Sequence, residues 1–198
     1  MASKTDSFAT FLIIGPTCFF LGILFSSFPY DYNVLWTTPP NRDIYFNILE
    51  DHIKFLYASP PIISRILHIA IGTGLVGFLT KLYRATEANY LFDGASLVLY
   101  FAGILVYLTN IVKGFRVVTA GIYGAVPEDQ LAEGEENDYI SREDTLRVFA
   151  ASNTILALVL VGVLVLQAGQ WYALRKEERE MEEMDRMAEE KRTGKKRQ

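Results

Sequence analysis

From Phe8 to Phe28 the chain carries no charged side chain. As a helix rising about 1.5 Å per residue, that run covers the roughly 30 Å hydrocarbon core of a bilayer. Few folds accommodate such a segment, because in lipid every backbone N–H and C=O has to be satisfied internally, which a helix does and an open strand does not. Three further runs are predominantly apolar, over residues 62–82, which includes Arg65 and Lys81, and over 95–112 and 148–168, which carry no charge. The second is preceded by Ser59, a candidate N-cap, and by Pro60 and Pro61, where a missing N–H costs little. The third has only Asn110 as a strongly polar member, and the fourth is rich in Leu, Val and Ala. The sequence therefore predicts an all-α membrane protein. It consists of a four-helix transmembrane bundle within residues 1–172 and a charged, helical C-terminal tail over 173–198.

Lys and Arg set the orientation, because cationic flanks resist translocation. The N-terminus, the connection after the second span and the tail together hold 12 cations, against 7 in the other two connections. Both termini are thus expected in the cytosol. The segment Met1–Ser7 carries a single Lys4, and the run after it is too long, and lacks the small-residue end, for a cleaved signal. In the first non-cytosolic connection, Tyr45, Ile48, Leu49, Ile53 and Leu56 fall on one helical face between Asn41 and Tyr57, predicting an amphipathic interfacial helix. The second such connection is acidic, with eight carboxylates from Glu128 to Asp144. A solvated loop and a cation or partner site both fit it, although the order lacks the D-x-D-x-D-G spacing of a calcium loop.

A net charge of −4 and a pI near 5.3, with no basic stripe, exclude a nucleic-acid partner. The one cysteine, Cys18, excludes a disulfide framework and a cysteine-held metal. With only His52 and His68, and no H-x-x-x-H, G-x-S-x-G, Walker or dinucleotide pattern, no catalytic, cofactor or metal site is expected, and an enzyme is not. Arg65 and His68, with Gly72, share one face in the outer half of the second span and form a candidate intramembrane polar site. Used as a pathway lining, they would suit a small transporter or transporter subunit, but the four spans show no inverted repeat or paired broken helices. A structural pair between Arg65 and Asp31, at the outer end of the first span, is the other reading. Cys18, Gly22 and Ser26 in the first span, and Thr73 and Gly77 beside Gly74 in the second, are spaced for close helix packing or for docking a foreign helix. Beyond the aromatic anchor Trp171–Tyr172, Leu174, Met181 and Met184 make a short heptad-like seam among charge pairs. Lys195 and Lys196, fourth and third from the carboxyl end, fit a dilysine retrieval signal.

Three segments carry a resemblance. They are LGILFSSFPYDYNVLW from Leu21 to Trp36, LHIAIGTGLVGFLTKLY from Leu67 to Tyr83, and RVFAASNTILALVLVGVLVLQAGQWYA from Arg147 to Ala173. Their most specific elements are Pro29, Tyr30, Asp31 and Tyr32, and VLVLQAGQ from Val163 to Gln170. Together they resemble the fungal endoplasmic-reticulum packaging chaperones for amino-acid permeases. The resemblance implies a multi-pass protein of that membrane, a non-enzymatic role in folding and exit of the permeases, and a tail that meets vesicle-coat (COPII) components.

Overall fold

The computed structural model describes residues 4–83, 87–123 and 141–195, with side chains described over 7–83, 90–123 and 141–190. The acidic run from Glu128 to Asp138, Lys196 and the side chain of Lys195 lie outside the described residues. Helix α1 is Lys4–Leu35, α2 Arg42–Tyr57, α3 Pro61–Tyr83, α4 Glu87–Val106, α5 Lys113–Ala120 and α6 Arg142–Lys195, with one π-helical turn, Tyr107–Val112, joining α4 to α5. No strand occurs among the described residues. Four helical stretches are long and apolar enough to cross a membrane: Ser7–Leu35, Pro61–Tyr83, Tyr90–Ala120 and Arg142–Glu190. The expected fold class is therefore the observed one, with longer spans than the hydropathic runs alone mark out.

Those extensions have physical reasons. Helix α1 runs through Pro29 for two further turns, so that Asp31 sits inside the helix rather than beyond it. Polar side chains within the spans are satisfied locally. Thr17, Thr73 and Thr109 each donate to a carbonyl four residues back, at 2.7–2.8 Å, which removes the cost of a bare hydroxyl in lipid. Ser59 behaves differently from its expected capping role. Its hydroxyl donates back to the Phe55 carbonyl at the end of α2, and the first turn of α3 instead closes through Ile63 N–H to Pro60 O.

Helix α1 packs on α3 and α6, and α4 packs on α6, whereas α3 and α4 touch each other less. Within the membrane the core is Ile13, Phe78, Tyr100, Leu156, Leu160 and Val163. The glycines that permit close approach are Gly74 and Gly77. A Cβ at Gly74 would collide with the Tyr100 hydroxyl, and one at Gly77 would lie 2.9 Å from Ile13 Cγ1. The matching stripe on α1 has no such role, because Cys18, Gly22 and Ser26 all face outward and nothing approaches the Gly22 Cα–H face.

A second core closes the end of the bundle beside α2, the end expected from the cation count to be the outer one: Val34, Phe46, Leu49, Ile53, Ile111, Val118, Leu146 and Phe149. Helix α2 lies across it. Its buried face, Phe46, Leu49, Glu50 and Ile53, is rotated from the predicted one, leaving Ile48 and Leu56 exposed. The rotation follows from two contacts that hydropathy does not weigh. Phe46 lies between the guanidinium groups of Arg42 and Arg147, at 5.8 and 5.6 Å, and Glu50 turns toward Arg142.

Candidate functional site

A buried pair of opposite charges sits where α3, α4 and α6 converge at the end of the bundle away from α2. Lys81 ends the apolar run of α3, and Asp93 opens that of α4 after a short connection, which brings both to one depth. Asp93 is 0% exposed and Lys81 8%. The Lys81 ammonium donates to Asp93 Oδ1 at 2.9 Å, Gln167 Oε1 at 2.9 Å and Gln170 Oε1 at 2.7 Å, so all three of its protons are used. Gln167 Nε2 donates to Asp93 Oδ1 at 3.0 Å and Ser96 Oγ at 3.1 Å, and Gln170 Nε2 donates to Asp93 Oδ2 at 2.8 Å. The two glutamines, one helical turn apart on α6, each turn an oxygen to the cation and a nitrogen to the anion. This closed circuit neutralises both charges and supplies the hydrogen bonds without which burying them in lipid is unfavourable.

Farther out, Asp31 is 2% exposed, and its Oδ2 accepts a 2.9 Å hydrogen bond from Asn153 Nδ2 on α6. Its Oδ1 has no hydrogen-bond partner among the described residues. The expected pair with Arg65 does not form, because α1 and α6 hold Asp31 inside the bundle whereas Arg65 is exposed on α3. Of the four signature residues, Tyr30 is half-buried and stacks on His52, rings 3.8 Å apart and 7° from parallel, while Pro29 and Tyr32 are exposed. Burial holds the His52 imidazole below its usual pKa, hence neutral. His68 is also exposed, with its Nδ1 2.6 Å from the Ser64 carbonyl of its own helix. Neither Arg65 nor His68 lines the interior of the bundle.

At the outer cap, Glu50 of α2 accepts from Arg142 Nε and Nη2, each at 2.5 Å, and from Lys54 at 2.6 Å, while Arg142 also donates to Asn47 Oδ1 at 2.6 Å. Burial raises the Glu50 pKa, but the hydrogen bonds and charges of Lys54 and Arg142 together outweigh it and hold the carboxyl below its ordinary 4.5. Burial and the neighbouring Glu50 carboxylate push the Tyr123 phenol up to about 12. A depressed carboxylate contributes stability above its unfolded pKa and loses that contribution as pH falls through its folded value. Thermal unfolding in mild detergent should therefore show a wild-type advantage over Glu50→Gln that is constant from pH 7 to about 5 and shrinks below about 4.5. An advantage independent of pH down to 3 would remove the ion pair from the cap's stability.

Lys81, Asp93, Gln167 and Gln170 form the arrangement that reading the sequence by hydropathy missed, since Lys81 counts there only as a flanking cation. The available signal was an amide pair at i and i+3 in an apolar run, facing a lysine and an aspartate that a short connection brings to the same depth. Among the described residues no three His, Cys, Asp or Glu side chains are grouped to hold a metal.

A family described as "ER membrane protein SH3", the SHR3 chaperones, matches residues 4–198. The chain is also 24% identical over 161 residues to the "Secretory component protein psh3" of Schizosaccharomyces pombe, covering 81% of this chain and 67% of that protein. No solved structure matches. With four membrane-length helices and a match that runs from residue 4 to residue 198, this chain belongs to the SHR3 chaperone family of endoplasmic-reticulum membrane proteins.

Proposed function

We propose that the protein is a four-pass, non-enzymatic chaperone with both termini in the cytosol, that its clients are amino-acid permeases awaiting exit from the endoplasmic reticulum, and that its tail meets vesicle-coat components. The observation that carries this reading is the family match over residues 4–198, to which the name of the fission-yeast relative, a secretory component protein, adds the link to export. The physical chemistry is compatible. Newly inserted transporter helices expose polar groups that are costly in lipid until their partners arrive. A holding partner must offer surface without offering permanent polar bonds. Here the strongest intramembrane polar groups are consumed inside the bundle, and the outward face of α1 presents Cys18, Gly22 and Ser26 between the exposed rings of Phe11, Phe19 and Phe25. Association with such a face is by dispersion, which permits release. A transporter working through Arg65 and His68 is not favoured, since both side chains lie on the outside of the bundle.

Deleting the chain from the cells that make it should hold amino-acid permeases in the endoplasmic reticulum while unrelated secretory cargo leaves at its normal rate. Equal retention of both would mark a general export component and end the client-specific reading. In the same cells a glycosylation acceptor inserted at position 133 should be modified and one inserted at position 87 should not, and the reverse would invert the orientation.

A further inference from the structure

Past the aromatic anchor Trp171–Tyr172, helix α6 continues, and from Arg175 to Glu190 every side chain except the half-buried Glu178 is exposed. Three of those exposed side chains are large and apolar: Met181, Met184 and Met187, at 53%, 58% and 56%. At about 100° per residue, Leu174, Met181, Met184 and Ala188 line one stripe of the helix, with Met187 at its edge. Written as heptads with Leu174 at a, the stripe holds Leu174, Met181 and Ala188 at a, and Glu177 and Met184 at d. The charges sort around it by sign. On its borders stand Glu178 and Asp185 at e and Glu180 at g, all acidic. The cations Arg175, Lys176, Arg179 and Arg186 occupy b, c and f, on the far side.

We propose that this stripe docks a basic amphipathic helix of a soluble protein, one with apolar side chains at a and d and Lys or Arg at e and g. Charge selects that occupant over the other two within reach. A second copy in the same membrane would lie parallel, because both tails leave the same side. It would set Glu180 of each copy against Asp185 of the other, and the two Glu177 side chains against each other. An anionic lipid surface repels the same acidic borders. A basic helix turns each of these repulsions into an attraction. Methionine suits the contact, since its unbranched thioether fills irregular gaps and lets one surface accept helices of varied sequence. About two heptads are too few for a permanent coiled coil, so the docking is reversible. It rests on the cytosolic placement of the tail proposed above, and it gives the tail's partner a chemistry.

The test uses the full-length protein in phosphatidylcholine nanodiscs. The probe is a fluorescent synthetic helix of about three heptads with Leu at a and d and Lys at e and g, read by anisotropy at physiological ionic strength. A twin with Glu at e and g is the control. The Lys peptide should bind, and the Glu peptide about tenfold more weakly. Met181→Gln combined with Met184→Gln, which leaves the lipid unchanged, should weaken the Lys peptide by about tenfold. Glu180→Lys combined with Asp185→Lys should reverse the preference, so that the Glu peptide binds the tighter of the two. Arg179→Gln, on the far side, should stay within about twofold of wild type. Binding is measured here without clients and irrespective of orientation, so its failure is told apart from failure of the proposed function, which the retention and glycosylation experiments read. Equal binding of the two peptides would leave no role to the acidic borders and overturn the site. Unchanged binding of the Lys peptide by the methionine variant would overturn it too, as would a methionine-dependent dimer in sedimentation, which would assign the stripe to a second copy.

Discussion

Lys81→Met should lower the stability of the detergent-solubilised protein by about 3–5 kcal/mol, the range for removing one partner of a buried ion pair. The loss is large because Asp93 stays where it is, fully enclosed, with its charge no longer balanced and only the two glutamine amides and their dipoles to meet it. Asp93→Leu should be comparably harmful, stranding the ammonium. Combining Lys81→Met with Asp93→Leu should recover at least half of the summed losses, since both charges then leave together. Trp171, next to Gln170 in α6, provides a fluorescence reporter at the right end of the bundle for following unfolding. Strict additivity of the two substitutions would mean that the circuit is not one unit, and the account of how α3, α4 and α6 are fastened would fail with it.

Asn153→Leu should cost about 3 kcal/mol, because it removes the hydrogen bond to Asp31 Oδ2 while Oδ1 is already without a partner, leaving a buried carboxylate bare. Asp31→Asn should be much milder, as an amide takes the same place without the charge. Arg65→Ala, at an exposed position, should stay within about 0.5 kcal/mol of wild type. Unfolding temperatures of the three variants in one detergent decide between the partners. Equal damage from Asn153→Leu and Arg65→Ala would restore Arg65 as the counter-charge of Asp31.

The contrast between these two sites explains what could be read in advance. Span number and helical class follow from hydropathy, because lipid imposes one solution on an uncharged run of twenty residues. What sequence spacing does not carry is the rotation of each helix about its own axis, and that rotation puts Asp31 toward α6 and Arg65 toward lipid. Helix α2 repeats the lesson, since its buried face was set by Phe46 between two arginines and by Glu50 facing Arg142. Lys81 illustrates a different blind spot. A cation at the end of an apolar run is ordinarily a flank residue that snorkels to water, and only the arrival of Asp93 and the paired glutamines from other helices makes it an interior one.

Helix α6 passes from the outer cap to Lys195 without a break, and from Trp171 onward its last 25 residues rise about 37 Å beyond the aromatic anchor. A flexible basic tail would lie down on an anionic leaflet, each cation gaining about 1 kcal/mol near the surface. Carried on a stiff rod instead, the last turns of the helix stand several screening lengths of about 8 Å away from that field. With the tail on the cytosolic side, as proposed, the helix is a standoff: it presents the exposed charges from Arg175 to Glu190 to soluble proteins in the aqueous phase, out of competition with the lipid headgroups below.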